Sequence, residues 1–322
     1  MMFKIPDPEL QIDFYGVLAK MRKSYLQDAL ASTIRNMDIA EIDKALAAFV
    51  PKTSLATLAS QGLRGELMFP VPLILIKNPR LLGYYRLLYG YSQKEFYTKA
   101  TGVARFQSME KRGVLTEANS DNLDDLCQAL AGAGALLLDG IGAKRISKAL
   151  LDDLTLLTLG PQLRGGANVK KGAAGIVTVF GAIHDIVKHD VKKATPSRIE
   201  IENAAGRRVL IEFAPDPDII IREEMSKNNF RKLVAIEVKG GSDFSNIHNR
   251  IGEAEKSHQK AKAIGYVECW TVVNVDRIDM EMAKQESPLT NRFYRISDLV
   301  NGDRLEYQDF RSRVISLTGI RS

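Results

Sequence analysis

The residues best placed to do chemistry end two apolar runs, Ala214-Pro-Asp-Pro-Asp-Ile-Ile-Ile-Arg222 and Leu233-Val-Ala-Ile-Glu-Val-Lys239. Side chains of an extended strand alternate between faces, so Glu237 and Lys239 project together while Ile236 and Val238 point the other way. A carboxylate and an ammonium at the end of such a run are costly to bury without partners. A hairpin of Asp218–Arg222 and Leu233–Lys239, turning around Met225 to Phe230, supplies one. The register that sets Arg222 across from Leu233 also sets Asp218 across from Glu237, with Cβ atoms about 4.5–5.5 Å apart. Two carboxylates that close repel unless a cation lies between them. Mg²⁺ suits the place, because it takes one or two carboxylates and fills its shell with phosphate and water oxygens. Lys239 reaches the same space, where an ammonium polarises an attacking water and stabilises charge growing on a phosphate. Asp216 faces Lys239 in this register and is the backup for the first acid. The chemistry expected of Asp218, Glu237 and Lys239 is metal-assisted phosphodiester hydrolysis. The plain alternative is a half-exposed strand whose charges only face solvent.

Gly240-Gly241 follows at once, and glycine there would let backbone approach a nucleic acid closely. From Ser242 the chain carries cap-type residues and then turns helical from Asn246 to Ala263, with Ser245 or Asn246 as N-cap. Ile247, Ile251, Ala254, His258 and Ala261 recur at three- and four-residue steps and form the face packed on the sheet. His258 on that face reads as a half-buried packing residue, not a ligand. Asn249, Arg250, Glu253 and Lys256 look to the open side. Ser242, Asn249 and Arg250 are of the types that contact phosphates and base edges. Glu253 has two candidate roles, orienting the lysine or binding a metal through water.

Pro217-Asp218 followed by Glu237-Val238-Lys239 resembles the signature of the PD-(D/E)xK nuclease superfamily. With Ser245-Asn-Ile-His-Asn-Arg250 and Gly252-Glu-Ala-Glu-Lys-Ser-His258, the stretch from about residue 210 to 275 resembles the type II restriction endonucleases of the XcyI-like set. The resemblance implies a Mg²⁺-dependent, dimeric cutter of short palindromic double-stranded DNA, and maps Asp218, Glu237 and Lys239 onto the superfamily's catalytic positions. Two rival readings stay open: a repair or junction-resolving nuclease, and a DNA-binding regulator with an inactive nuclease-like domain.

In the first half, Leu87 to Gly113 resembles a phage-repressor-type helix-turn-helix. Ser92 would cap a helix running through Lys99, with Glu95 completing a capping box. Thr101-Gly102 would be the turn. Val103 to Arg112 would be the second helix, offering Arg105, Gln107 and Lys111 to a major groove. The pattern departs from the family in two places, Tyr97 where a small residue is usual and a turn displaced by one position, so an ordinary helical hairpin is the alternative reading. A helical reading domain ahead of a nuclease domain is also a layout found among two-domain restriction enzymes.

The elements that must position these residues divide by texture. Asp13 to Arg35, Ile39 to Phe49, Tyr84 to Leu88, Asn122 to Ala131 and Ser147 to Leu157 carry helical periodicity. Glycine and lysine then crowd between Gly160 and Gly172, which reads as a connector. Beyond it come a helix, Ile176 to Lys188, and strand-like runs at Arg198–Glu202, Arg208–Phe213, Asp218–Arg222, Leu233–Lys239 and Tyr266–Val275. The expected fold is α/β in the α+β sense. A helical recognition domain, residues 1–165, carries a helix-turn-helix, winged or not. A restriction-endonuclease-like mixed sheet flanked by helices fills residues 166–322. The excess of 45 Lys and Arg over 39 Asp and Glu is mild and agrees with a polyanionic partner. Two distant cysteines, Cys127 and Cys269, exclude a disulfide scaffold or zinc knuckle and suit a reducing, cytoplasmic setting. No apolar run approaches membrane-spanning length, and the first residues lack the apolar stretch of a signal peptide.

Overall fold

The computed structural model describes residues 8–241, 246–275, 277–302 and 304–321. The chain parts into two compact units between Gly166 and Ala167. Among the described residues no helix is long and apolar enough to cross a membrane.

The first unit is helical throughout its described residues, so no strand is present to form a wing. Ile39–Phe49 is helical as expected, and the Asp38 carboxylate accepts from the Ala40 N–H at its start. The run expected as one helix from Asp13 to Arg35 is two, Glu9–Tyr25 and Gln27–Ile34. Buried Leu26 has extended backbone between them, so the chain changes direction without losing an apolar contact. The core gathers Ile42, Leu58, Phe69, Leu75, Tyr85 and Leu130 with their neighbours. Within it lies an ion pair. Arg86 donates Nε to Glu110 Oε2 and Nη2 to Glu110 Oε1, both at 2.8 Å. Tyr97 Oη and Gln93 Nε2 donate to the same carboxylate at 2.7 Å. Burial opposes the Glu110 charge, but these donors outweigh it and hold the carboxyl below its ordinary range.

In the second unit β1 (Val191–Thr195), β2 (Arg198–Glu202), β3 (Arg208–Phe213), β4 (Ile219–Ser226), β5 (Asn229–Lys239), β6 (Glu268–Val273) and β7 (Arg292–Arg295) form one sheet in sequence order. β1 to β5 run antiparallel, and β6 and β7 add in parallel. The helix Ile247–Ala263 supplies the crossover between β5 and β6 that a parallel pair requires. The sheet is mixed and flanked by helices, the architecture anticipated from sequence. β1, β7 and the C-terminal helix Leu305–Thr318 lie beyond that expectation. One face carries Ile219, Ile221, Ile236, Val238, Trp270 and Val272, packed with Val179, Ile183 and Val187 and with Phe310 and Val314. The other carries Ala235 and Cys269, packed on Ala261 of the crossover helix.

The expected connector is instead part of a helix, Lys148–Val187, with Pro161 inside it. Ser147 Oγ accepts from the Leu150 N–H at its start. Each glycine costs a helix only about 1 kcal/mol relative to alanine, and some of these have a packing use. A Cβ on Gly240, at the end of β5, would stand 2.6 Å from the Lys171 carbonyl and 2.9 Å from Gly172 Cα. One on Gly175 would stand 3.0 Å from Gly240 Cα. Here two backbones meet with no room for a side chain. Gly240 therefore serves the helix–strand contact, not the approach to nucleic acid expected of it.

The buried pair in the first unit gives a direct test. Glu110→Ala leaves the Arg86 charge buried and unpaired, and should cost about 3–5 kcal/mol in urea unfolding followed by far-ultraviolet circular dichroism. Arg86→Met combined with Glu110→Leu should recover most of that loss. A single variant as stable as the parent would refute the assignment.

Candidate active site

The β4–β5 hairpin sets Ile219 opposite Ile236, Ile220 opposite Ala235 and Ile221 opposite Val234, the register read from the sequence. It shifts by one residue between Ile221 and Arg222, so Arg222 meets Lys232 and not Leu233. The turn is Lys227-Asn228, with Asn228 left-handed at φ 63, a conformation asparagine tolerates. The shift lies on the turn side, away from the acids.

Asp218 stands just before β4, half-buried, and its Oδ2 accepts from the Val238 N–H at 2.8 Å. Glu237 is 7% exposed. It shares a sheet face with Lys239 and with Thr271, its register partner on β6. Lys239 Nζ lies 3.0 Å from Glu237 Oε1 and 3.4 Å from Glu253 Oε2. Burial, then the neighbouring Asp218 charge, raise the Glu237 pKa, with Lys239 opposing. Burial raises Asp218 too, against the Val238 N–H and Lys239. For Lys239 burial works downward, but Glu237 and Glu253 reverse it and the net shift is upward. A half-buried and a buried acid, with the Asp218 charge opposing that of Glu237 and the ammonium held between Glu237 and Glu253, form a charged cleft at the end of β5.

The donor set fits a hard divalent ion. Asp218 keeps Oδ1 without a hydrogen-bond partner among the described residues, and Glu237 lies within electrostatic reach of it. Among the described residues no cluster of three His, Cys, Asp or Glu could enclose a metal. Two carboxylates with an otherwise open shell suit Mg²⁺ better than an all-protein cage would.

The family model described as XcyI restriction endonuclease matches residues 15–321. The chain belongs to the XcyI restriction endonuclease family. Cfr9I of Citrobacter freundii, named a type II restriction enzyme, is 59% identical over 317 residues, covering 98% of this chain and 96% of that protein. The type II restriction enzyme XcyI of Xanthomonas campestris pv. cyanopsidis is also 59% identical over 317 residues, 98% of this chain and 95% of its own. A restriction endonuclease is an enzyme that cleaves DNA, so membership favours neither the repair reading nor the inactive regulator.

The remaining sequence candidates fall in different surroundings in this family member. Asp216 is exposed and pairs with Lys260 at 2.5 Å, which holds its carboxyl below the ordinary range. It is engaged with the crossover helix, not directly with Lys239. Arg250, half-buried, donates Nη1 to the Gly241 carbonyl. Asn249 donates to Asn246 Oδ1 at 2.7 Å and lines a hollow of about 570 Å³ with His248, Glu253, Lys256 and Glu286. Ser242 lies outside the described residues, as does Ser245.

In the first unit Ser92 and Glu95 form the expected capping box. The helix it starts, Gln93–Phe96, ends a turn early, and Thr101 Oγ1 lies 2.9 Å from both the Phe96 and Thr98 carbonyls, sharing one proton between them. Gly102 turns the chain at φ 72. The second element is a 3₁₀ turn, Val103–Phe106, running into the helix Gln107–Arg112. Arg105, Gln107, Lys111 and Arg112 line one hollow of about 410 Å³.

One group behind the site was not anticipated. Glu255 Oε2 accepts from Ser287 Oγ at 2.9 Å and from the Leu289 N–H at 3.1 Å. Ser287 Oγ lies 2.7 Å from Thr290 Oγ1, which lies 3.0 Å from Thr271 Oγ1, itself 2.8 Å from His258 Nε2. A carboxylate only accepts, so Ser287 gives its proton to Glu255 and each hydroxyl along the chain accepts from the next. The series ends by assigning the Nε2–H tautomer to His258, leaving Nδ1 buried and without a partner. The residues share no sequence pattern. Only the helical phase of His258 hinted at them, and it is fully buried where half-burial was expected.

Burial, then the charges of Lys239 and Lys262, push the His258 pKa down to about 4. The unfolded chain therefore binds a proton near pH 6.5 that the folded protein refuses until about 4. Stability from this group is complete above about 6.5 and is lost as pH falls through that window. Between pH 7.5 and 5 the loss should be about 2 kcal/mol, read from denaturant unfolding at each pH. His258→Gln keeps a donor toward Thr271 without the titration and should remove that part of the slope. An unchanged slope in the variant would show that His258 is not the titrating group.

Proposed function

We propose that this type II restriction endonuclease hydrolyses phosphodiester bonds on both strands of duplex DNA at a short palindromic site, as a homodimer, with Mg²⁺ held by Asp218 and Glu237. The observation that carries the reading is the meeting of Asp218, Glu237 and Lys239 at the end of β5, two acids within electrostatic reach and one ammonium 3.0 Å from the second.

The cation, when bound, supplies Lewis-acid polarisation of the phosphate and a more acidic water. The chain's own groups do the rest. The Val238 N–H fixes one Asp218 oxygen and thereby orients the carboxylate. The buried strand β5 fixes the backbone of Glu237 beside Asp218. Lys239 brings a positive charge to the phosphate oxygens as they gain negative charge. In this reading residues 167–322 form the nuclease domain, and Asn249 and Arg250 lie on its DNA-facing side. Residues 1–166 form the recognition domain, with Arg105, Gln107 and Lys111 toward a groove and Ser92 near the backbone. A palindrome has two-fold symmetry, which a homodimer matches with one catalytic centre per strand. The buried free thiols Cys127 and Cys269 suit a reducing cytoplasm.

Incubating plasmid of known sequence with the protein and Mg²⁺ should yield discrete fragments whose ends map to one palindrome. Glu237→Gln and Lys239→Ala should each abolish cleavage while leaving binding to that site within a few-fold of the parent. Full cleavage by either variant would overturn the catalytic assignment. Binding should also weaken steeply with added salt, since neutralising phosphates releases counterions. An affinity indifferent to ionic strength in a titration from 50 to about 200 mM salt would count against a phosphate-tracking surface.

A further inference from the structure

Lys239 is held by two acids of unequal standing. Glu237 is buried in β5, with its side chain 10% exposed, and Glu253 is on the helix Ile247–Ala263, with its side chain 63% exposed. The helix itself is firmly seated. Ile251, Ala254 and His258 are buried beneath it, and the hydrogen-bond series from Glu255 ties it to Thr271 on β6. The backbone of Glu253 is therefore fixed while its carboxylate reaches out to the ammonium.

A divalent cation on Glu237 would weaken that carboxylate's hold on the ammonium, because two cations side by side repel each other. The balance for Lys239 would then shift from its 3.0 Å contact toward the one at 3.4 Å. Glu253 is not a third ligand in this arrangement, since no three acids or histidines among the described residues are grouped to enclose a metal.

We propose that Glu253 is a positioning residue that takes over the Lys239 ammonium when Glu237 turns to the cation, and so sets where that ammonium meets the scissile phosphate. This rests on the two-carboxylate reading of Asp218 and Glu237. Of the two roles open to Glu253 from sequence, the geometry selects the lysine partner. It also makes a linkage: release of Lys239 from Glu237 is easier when another carboxylate receives it, so Glu253 aids metal binding without touching the metal.

The test is a double-mutant cycle in the full-length protein. Ca²⁺ affinity is measured by calorimetry for the parent, Glu253→Gln, Lys239→Met and the double variant. Single-turnover cleavage with Mg²⁺ is measured for the parent, Glu253→Gln and Glu253→Asp. Glu253→Gln should weaken Ca²⁺ binding and slow the cleavage step, each by roughly 10- to 100-fold. Its affinity for the DNA site without divalent ion should stay unchanged, and Glu253→Asp should restore part of the rate. In the Lys239→Met background the Glu253 effect on Ca²⁺ should shrink several-fold. An equal effect in both backgrounds would make Glu253 a metal ligand and overturn the inference, and so would no effect in either. Glu237→Gln is the separate control. If it binds Ca²⁺ and cleaves as the parent does, the two-carboxylate reading itself falls.

Discussion

Two acids and an ammonium are forced onto one buried sheet face, and the surrounding structure answers that constraint. Glu237 and Lys239 leave β5 on the side covered by the crossover helix, while Ile236 and Val238 leave it into the apolar core. A strand with apolar residues on only one side of its last turn cannot be rotated or slipped. A one-residue slip would bury both charges among Trp270 and Val272 and expose the isoleucine and valine. Register and charge placement thus enforce each other, and Asp218 is delivered to the same end of β5 by the three isoleucines that pair with it.

Holding the cleft open to a ligand while its walls stay rigid needs polar support that water would otherwise supply. The Val238 N–H does this for Asp218, and the helix Ile247–Ala263 does it for the other side through Glu255, Ser287, Thr290, Thr271 and His258. A directed series of this kind is satisfied only when every member is in place, so it fixes the helix more sharply than apolar contact would. Glycine completes the frame at Gly240, where the strand end and the helix Lys148–Val187 touch backbone to backbone.

What the sequence made legible follows from the same physics. A hairpin of the two apolar runs, set with Arg222 opposite Leu233, gives the pairing found at Ile219–Ile221 although that first pair is itself shifted by one, and the three- and four-step recurrence of Ile247, Ile251, Ala254, His258 and Ala261 gives the buried helix face, all five members of which are buried. Both are local patterns within one supersecondary unit. The failures are contacts between distant segments. Gly172 looks like a linker glycine and Gly240 like a nucleic-acid glycine until the approach of two backbones is seen. Glu255, Ser287 and Thr290 carry no periodic signal, because their relation exists only across a helix, a strand and a turn. The helix capped by Ser92 is expected through Lys99 but stops at Phe96, where the Thr101 hydroxyl meets its last carbonyl.

Charge shows why composition is a poor guide to where a polyanion would bind. In the second unit most arginines are already matched. Arg198, Arg208 and Arg222 interleave with Glu200, Glu212 and Glu224 over β2 to β4, while Arg207 and Arg231 share Glu223. Lys260 is taken by Asp216 and Arg295 by Glu306. Paired charges on a solvated sheet contribute little field beyond a Debye length of about 8–10 Å. In the first unit, by contrast, Arg105, Lys111 and Arg112 line one hollow and are in no ion pair among the described residues. The buried Arg86–Glu110 pair fixes the helix that bears Lys111 and Arg112 from beneath, through Gln93 and Tyr97 as well. A local field there arises from unmatched side chains on a rigid support. The chain-wide excess of six positive charges would be the same if those three residues were scattered, so the sum does not report their clustering.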